Sequence, residues 1–288
     1  MALRDLFKKD PLKKDIKKLA KNSVRLKMSN SLLNSSSQSK FGGRPLLPEN
    51  FEWPTFRSYD DNITRPLSFF CQINLAEVKQ YDKDNMLPEK GIMSFFYECE
   101  SSCWGFDPRD NGSARVFYFE DISSLIETPL PEDLPEEYII PQRKIEFIPE
   151  VSYPMFEEYD ALKDEDCDFE DYDEALGKLG VDTDDIPERH KLLGYADIIQ
   201  SEMLTDCERA FRRLYSGDAE SYRNTPQELK MDIREKAKDW ILLLQLSTIK
   251  TDDYEWMFGD CGMLYYYIRK DDLKNCRFEN MWFSLQCY

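Results

Sequence analysis

Two stretches of this chain, Lys40 to Phe119 and Lys191 to Cys287, run through the same chemistry in the same order, and this repeat constrains the fold more than any single residue. The first carries Ser39-Lys40-Phe41-Gly42-Gly43, then the apolar runs Leu67 to Ile73, Gly91 to Tyr97 and Arg115 to Phe119. The second carries His190-Lys191-Leu192-Leu193-Gly194, then Ile241 to Leu246, Gly262 to Ile268 and Met281 to Gln286. Each run has the length and the aliphatic and aromatic content of a buried strand. Spacing between the runs is unequal. Gly43 to Gln72 takes 29 residues and Gly194 to Gln245 takes 51, so the second copy holds an insertion. Strands kept in order with unequal connections describe a duplicated sheet elaborated by inserted segments.

The expected class is therefore α+β: duplicated, mainly antiparallel β halves, helices inserted in the second half, and an N-terminal helix. The expected division is a basic amphipathic helix and Ser-rich hinge over 1–38, a first β repeat over 39–156, an acidic connector over 157–189, and a second repeat with a helical insertion over 190–288. Residues 39–288 are expected to form one compact unit. At 288 residues the chain is long enough to bury roughly 75% of its unfolded surface without disulfides or metals.

Charge is distributed unevenly. The chain holds 38 basic and 56 acidic side chains, a formal net of −18. Such a field repels a phosphate backbone and removes the counterion release that drives nucleic-acid binding, so nucleic acid is not expected as a ligand. Residues 1–40 are nonetheless basic. Pro11 or Asp10 is expected to open a helix with Ile16, Leu19, Ala20, Val24 and Leu26 near one face and lysines around it. That helix is expected to fold back on the acidic body; contact with anionic lipid is the other use of such a helix, although membrane binding is not the favoured reading. Pro-rich residues 121–156, with Tyr138-Ile139-Ile140 and Ile145 to Ile148, read as an edge strand or extended connector. The acidic segment from Glu157 to Asp185 reads as an outer helix with a thin apolar stripe. Thr205 to Tyr215 and Thr225 to about Asp239 read as two inserted helices.

Chemistry-bearing patterns are sparse. His190 is the sole histidine and sits in a turn before a strand, so His-based triads and multi-His metal sites are poor candidates. Cys99 and Cys103 lack the second pair a zinc site needs. The run Asp164 to Glu170 has alternating carboxylates, but Phe169 stands where a calcium loop needs glycine and Ala175 where it needs glutamate. No cofactor or metal is expected. With no apolar leader after Met1 and eight cysteines, several within strands, the expected setting is the reducing cytoplasm.

The motifs Ser39-Lys40-Phe41-Gly42-Gly43-Arg44-Pro45 with Trp53-Pro54, Gln72-Ile73-Asn74-Leu75, His190 to Tyr195 with Ile199-Gln200, and Met257 to Gly262 resemble the YwqG-like family, a domain of unknown function, over roughly residues 39–288. The resemblance extends distantly to eukaryotic programmed-cell-death and ribosome-assembly proteins. It implies a protein-binding or chaperone-like adaptor whose partner is another protein, and the acidic surface of the chain adds the expectation that this partner is basic or nascent. It supplies no catalytic residues. Lys40, Trp53, Gln72, Tyr195, Gln200, Gln245 and Asp260 are the candidate binding residues, because polar groups recurring in sheet contexts need partners. The competing readings are an immunity-type inhibitor of a toxin and a carboxylate or divalent-metal enzyme built on Asp197 and Asp260.

Overall fold

The computed structural model describes residues 5–101, 103–163, 168–181 and 189–288. The first repeat supplies β1 (Lys21–Ser29), β2 (Lys40–Phe41), β3 (Ser68–Asn74), β4 (Ile92–Tyr97) and β5 (Ala114–Phe119). The second supplies β6 (Arg143–Ser152), β7 (Lys191–Leu192), β8 (Trp240–Leu246), β9 (Met263–Arg269) and β10 (Trp282–Gln286). All ten form one antiparallel sheet in the order β10-β9-β8-β7-β1-β6-β2-β3-β4-β5. The halves are interlocked. Each repeat's first strand crosses the centre and pairs with the second strand of the other: β1 with β7, β6 with β2.

Register shows that the two halves are copies. Lys40 pairs with Gln72 and Lys191 with Gln245. Lys144 lies opposite Lys40, and Arg25 opposite Lys191. The step that carries Arg25 onto Lys144 also carries Lys27 onto Glu146, and these two face each other in the β1–β6 ladder. A pseudo-twofold axis therefore passes between them. Its other end runs through Phe95 and Tyr266, equivalent residues whose rings touch at 5.3 Å. Even the irregularities recur: the ladders slip between Phe69 and Cys71, and again between Leu242 and Leu244, leaving Phe70 and Leu243 as equivalent bulges.

The sheet curls so that its two inner faces meet. Val24, Phe41, Cys71, Phe95, Leu244, Tyr266 and Phe283 belong to one buried core, and the Tyr266 hydroxyl donates to the Phe96 carbonyl at 3.1 Å. The outer faces are covered differently. In the first half Phe51 and Trp53 pack edge-on against Phe117 and Phe96. In the second, the insertion supplies α5 (Leu204–Phe211), α6 (Ala219–Asn224) and α7 (Gln227–Ala237), and Met203, Cys207, Ala210 and Ala237 bury Trp240, Leu242, Tyr265 and Tyr267. Glu208, nearly fully buried, bolts α5 to the sheet by accepting from Trp240 Nε1 at 2.8 Å, Arg212 Nε at 2.6 Å and Arg269 Nη2 at 2.7 Å. Pro226 forms the N-cap of α7 without a side-chain cap bond, and Thr225 closes α6 instead of capping α7.

Three expectations need correction. The N-terminal helix, α1 (Asp5–Lys18), starts before Pro11 and stops short of Val24. Val24, Leu26 and Met28 alternate with Ser23, Arg25 and Lys27, the period of a strand, and β1 lies at the middle of the sheet. Second, β6 is central. Ile145 N–H donates to Ser39 O at 3.2 Å on the β2 side. By alternation Pro149 presents its nitrogen to that same side, where β2 no longer reaches, so it removes no ladder bond. Third, the Ser-rich segment is tied down: Gln72 Nε2 donates to Ser36 O and Gln38 O, and Asn74 Nδ2 to Ser37 O.

The basic helix does pack on the acidic segment. Ile16 joins Tyr159, Tyr172, Ala175 and Leu176 of α3 (Phe156–Lys163) and α4 (Phe169–Gly177), and Lys13 Nζ donates to Lys178 O at 2.8 Å. Asp164 to Cys167, the core of the calcium-like run, lie outside the described residues; Asp168 caps α4 by accepting from Asp171 N–H at 2.8 Å.

Deleting residues 1–18 should leave the sheet intact, whereas deleting 1–29 removes β1 and should abolish cooperative thermal unfolding followed by circular dichroism. At Gly42 (φ +52°) an added Cβ would lie 2.1 Å from the Ile140 carbonyl oxygen. Gly42→Ala should cost roughly 2–4 kcal/mol in urea unfolding. Gly177→Ala, where the space is open, should gain about 0.5 kcal/mol from helix propensity.

Candidate functional site

Four of the seven candidate residues hold the scaffold. Lys40, Gln72, Tyr195 and Gln245 are buried. Gln72 Oε1 accepts from Leu46 N–H at 3.1 Å while Nε2 donates to Gln38 O at 2.9 Å. At the equivalent place Gln245 Oε1 accepts from Asp197 N–H at 2.9 Å and Nε2 donates to Arg189 O at 2.7 Å. Each glutamine therefore clamps the chain before and after the short strand beside it. Lys40 Nζ donates to Arg44 O at 2.6 Å, and burial lowers its pKa. Lys191, its equivalent, pairs with Asp197 at 2.7 Å. Burial opposes the Asp197 charge, yet Lys191 and Gln245 together hold its carboxyl below the usual range. The Tyr195 ring carries Lys21 Nζ at 3.6 Å from its centroid.

His190 completes this symmetric frame. Its Nδ1 accepts from Ser247 N–H at 3.1 Å, as Ser39 Oγ accepts from Asn74 N–H at 2.9 Å in the first repeat. The ring is fully buried, and burial drives its pKa down to about 3. It has no access to a substrate. Trp53 is half-buried and donates Nε1–H to Leu67 O at 2.9 Å. Gln200 and Asp260 are exposed and meet the C-terminus: Gln200 Nε2 donates to Cys287 O at 2.8 Å, and Tyr288 N–H to Asp260 O at 3.0 Å. Among the described residues no hydrogen bond or ion pair joins Asp197 to Asp260, and no three His, Cys, Asp or Glu side chains gather in a metal-binding cluster.

A concave surface lies where the copies differ. Between α5, α6 and α7 a cleft of about 820 Å³ is lined by Glu157, Glu202, Asp206, Asp218, Tyr222, Arg234 and Lys238, with Phe106 at one side. Arg209 lies beneath it with its charge engaged internally, donating to Thr225 Oγ1, Tyr215 O and Ser221 Oγ, which ties α6 to α5. The remaining lining is rich in carboxylates. Burial pushes Asp206 up to about 7, and Glu202 adds to the shift. Glu158, beside Glu157 on α3, is likewise pushed to about 7 by burial, against the opposing pull of Lys21.

Phe106 also borders a second cleft, of about 530 Å³, whose walls are Tyr59, Trp104, Asp107, Arg109, Asp110 and Tyr215. Ser216 N–H donates to Phe106 O at 3.0 Å, so the insertion is pinned to the loop between β4 and β5. Trp104 is 36% exposed and Tyr215 42%. The two clefts together present aromatic faces beside a lining of six carboxylates, among them Glu202, Asp206 and Asp218, with Arg109, Arg209, Arg234 and Lys238.

These residues were not among those singled out from the sequence, although the signal was present. Polar residues recurring in both copies are the ones a duplicated scaffold needs for itself. The 51-residue span from Gly194 to Gln245 marked the segment free to do something else.

Residues 39–287 match the family described as Domain of unknown function (DUF1963), and the chain belongs to that family. The match begins after β1, although β1 fills the centre of the sheet. Comparison with curated proteins returns no match.

Replacing Gln245 or Gln72 by Ala strands buried backbone groups and should cost roughly 2–4 kcal/mol in urea unfolding. Gln200→Ala and Asp260→Asn, at exposed positions, should stay within about 0.5 kcal/mol of the parent.

Proposed function

We propose that this chain is a non-catalytic protein-binding module whose insertion cleft captures a basic segment of a partner protein. The observation that carries this reading is the aromatic-bordered cleft of about 820 Å³ with four carboxylates in its lining, built largely by an insertion that the first repeat lacks. Carboxylates at the rim steer a basic chain toward the site, and Phe106 and Tyr222 supply flat apolar surface once it arrives. The resemblance to the YwqG-like proteins, and through them to eukaryotic adaptors, agrees with such a role. A net charge of −18 disfavours nucleic acid as the partner. Among the described residues no helix is long and apolar enough to cross a membrane. A reducing cytoplasm suits the seven cysteines that are free among the described residues.

The cleft should respond to pH near neutrality. Below about pH 7 Asp206 is protonated in the free cleft and adds no negative charge; above it the carboxylate forms. A fluorescein-labelled peptide of alternating lysine and leucine should therefore bind more tightly at pH 8 than at pH 6, by roughly 3–5-fold at low salt. Fluorescence polarisation measures this directly. Asp206→Asn should flatten the pH dependence, and Glu202→Gln should weaken binding at both values. Affinity that is unchanged by both substitutions and by 0.5 M salt would remove the cleft from consideration.

A further inference from the structure

The pseudo-twofold relates the two ends of the sheet, but those ends are finished differently. At β10 the chain covers its own edge. Leu285 N–H donates to Trp104 O at 3.0 Å, and Trp282 Nε1–H donates to Gly105 O at 2.9 Å. Gly105 runs so close to the strand that a Cβ there would lie 2.2 Å from the Phe283 carbonyl oxygen. Residues 103–105 thus lie along the outer side of β10, and Trp104 O takes its outward Leu285 N–H.

Register carries Phe283 onto Val116 and Leu285 onto Tyr118, because Ser284 and Phe117 stand at the same step from Gln245 and Gln72. At this end residues 276–281 pack beside β5, with the Phe278 ring 5.4 Å from that of Tyr118, but among the described residues they make no backbone hydrogen bond to its outer edge. Glu98 N–H donates to Ser113 O at 2.7 Å, which sets the alternation along β5. Arg115, Phe117 and Phe119 exchange bonds with β4, so the N–H and C=O groups of Ala114, Val116 and Tyr118 point away from the sheet. Among the described residues these groups have no hydrogen-bond partner. Beside them runs a groove of about 230 Å³ whose far wall is Cys276, Phe278, Glu279 and Met281. Edge strands are usually guarded by proline, inward charge or a bulge. β5 carries no proline and no bulge, and its one charged side chain, Arg115, is exposed to solvent.

We propose that the outer edge of β5 is a docking site for an extended, uncharged peptide segment of a partner protein, which adds as an eleventh strand with a small residue beside Val116. The pattern for that occupant is the chain's own solution at β10. There a bulky residue gives its carbonyl to the Leu285 N–H, and a glycine follows where the Phe283 carbonyl leaves no room for a side chain. The equivalent bonds on β5 are donation from Tyr118 N–H and close approach to Val116 C=O. A partner peptide fits the narrow groove; a second copy of this chain would bring its own Phe278 to Met281 wall into the same space. Strand addition of this kind takes affinity from main-chain bonds and specificity from alternate side chains. This site is separate from the insertion cleft and does not depend on it.

The test uses the full chain and a capped tetrapeptide, Cys-Trp-Gly-Phe, copying residues 103–106, followed by amide NMR and hydrogen exchange under reducing conditions. Millimolar peptide should shift the amides of residues 114–118 and slow exchange at Tyr118 at least fivefold. The peptide with valine in place of glycine should do neither. Val116→Pro removes an outward N–H without touching the β4 ladder and should abolish the effect while Leu285 stays protected. If that variant does not fold, the comparison of the two peptides decides alone. Equal effects of both peptides, or no effect of either, overturn the proposal. So does a Tyr118 amide already as protected as Leu285 in the free protein. Protection that grows with protein concentration alone also overturns it, in favour of pairing between copies.

Discussion

Two buried glutamines hold this architecture together. Gln72 and Gln245 each stand beside a two-residue strand, too short to secure itself, and each spends its amide on backbone groups that flank that strand. A two-residue strand makes few ladder bonds, and its neighbours turn sharply at Gly42-Gly43 and Leu193-Gly194, all at positive φ. Without the side-chain amides, backbone donors and acceptors would be buried unpaired at the two places where the repeats join the central β1–β6 ribbon. The pairing of like with like across the axis follows from these two clamps.

The frame explains why so much polar chemistry here is structural. Buried Lys40 and Lys191, His190 and the two glutamines resemble a functional constellation by residue type, but each is engaged by its own chain. Interlocking adds a further constraint. Because β1 and β6 cross over, neither repeat completes its sheet alone, and the halves form one cooperative unit with a core running through the axis. Such a frame is hard to alter from within. The two copies differ outside it, in the insertion that covers the second outer face and in the unequal finishing of the sheet edges, and these are the places proposed to meet a partner.

Much of this was legible in the chain. The six long apolar runs became β3, β4, β5, β8, β9 and β10 within a residue or two, because strands buried on both faces read as continuous apolar segments. Asn74 caps a short helix, α2 (Leu75–Val78), by accepting from Ala76 N–H. Two helices of the insertion were foreseen and the six-residue α6 was not, since so short a helix carries too little periodicity to detect. β1 and β6 were misread for a different reason. Lysines surround the alternating Val24, Leu26 and Met28, and Pro149 interrupts β6, so local pattern favoured a basic helix and an edge. Only their mutual ladder, between residues distant in sequence, makes either one a central strand.

The amino-acid sequence alone determined the duplication, the strand order within each copy, the charge asymmetry and the presence of an insertion, because these are properties of local pattern and composition. Tertiary structure decided the rest: that the repeats interlock, that recurring polar residues are engaged as clamps, and that acidic and aromatic side chains from Tyr59 to Tyr222 converge on one surface. Convergence depends on which faces meet when the sheet curls. That curl is set by contacts between residues far apart in the chain, which no local period records.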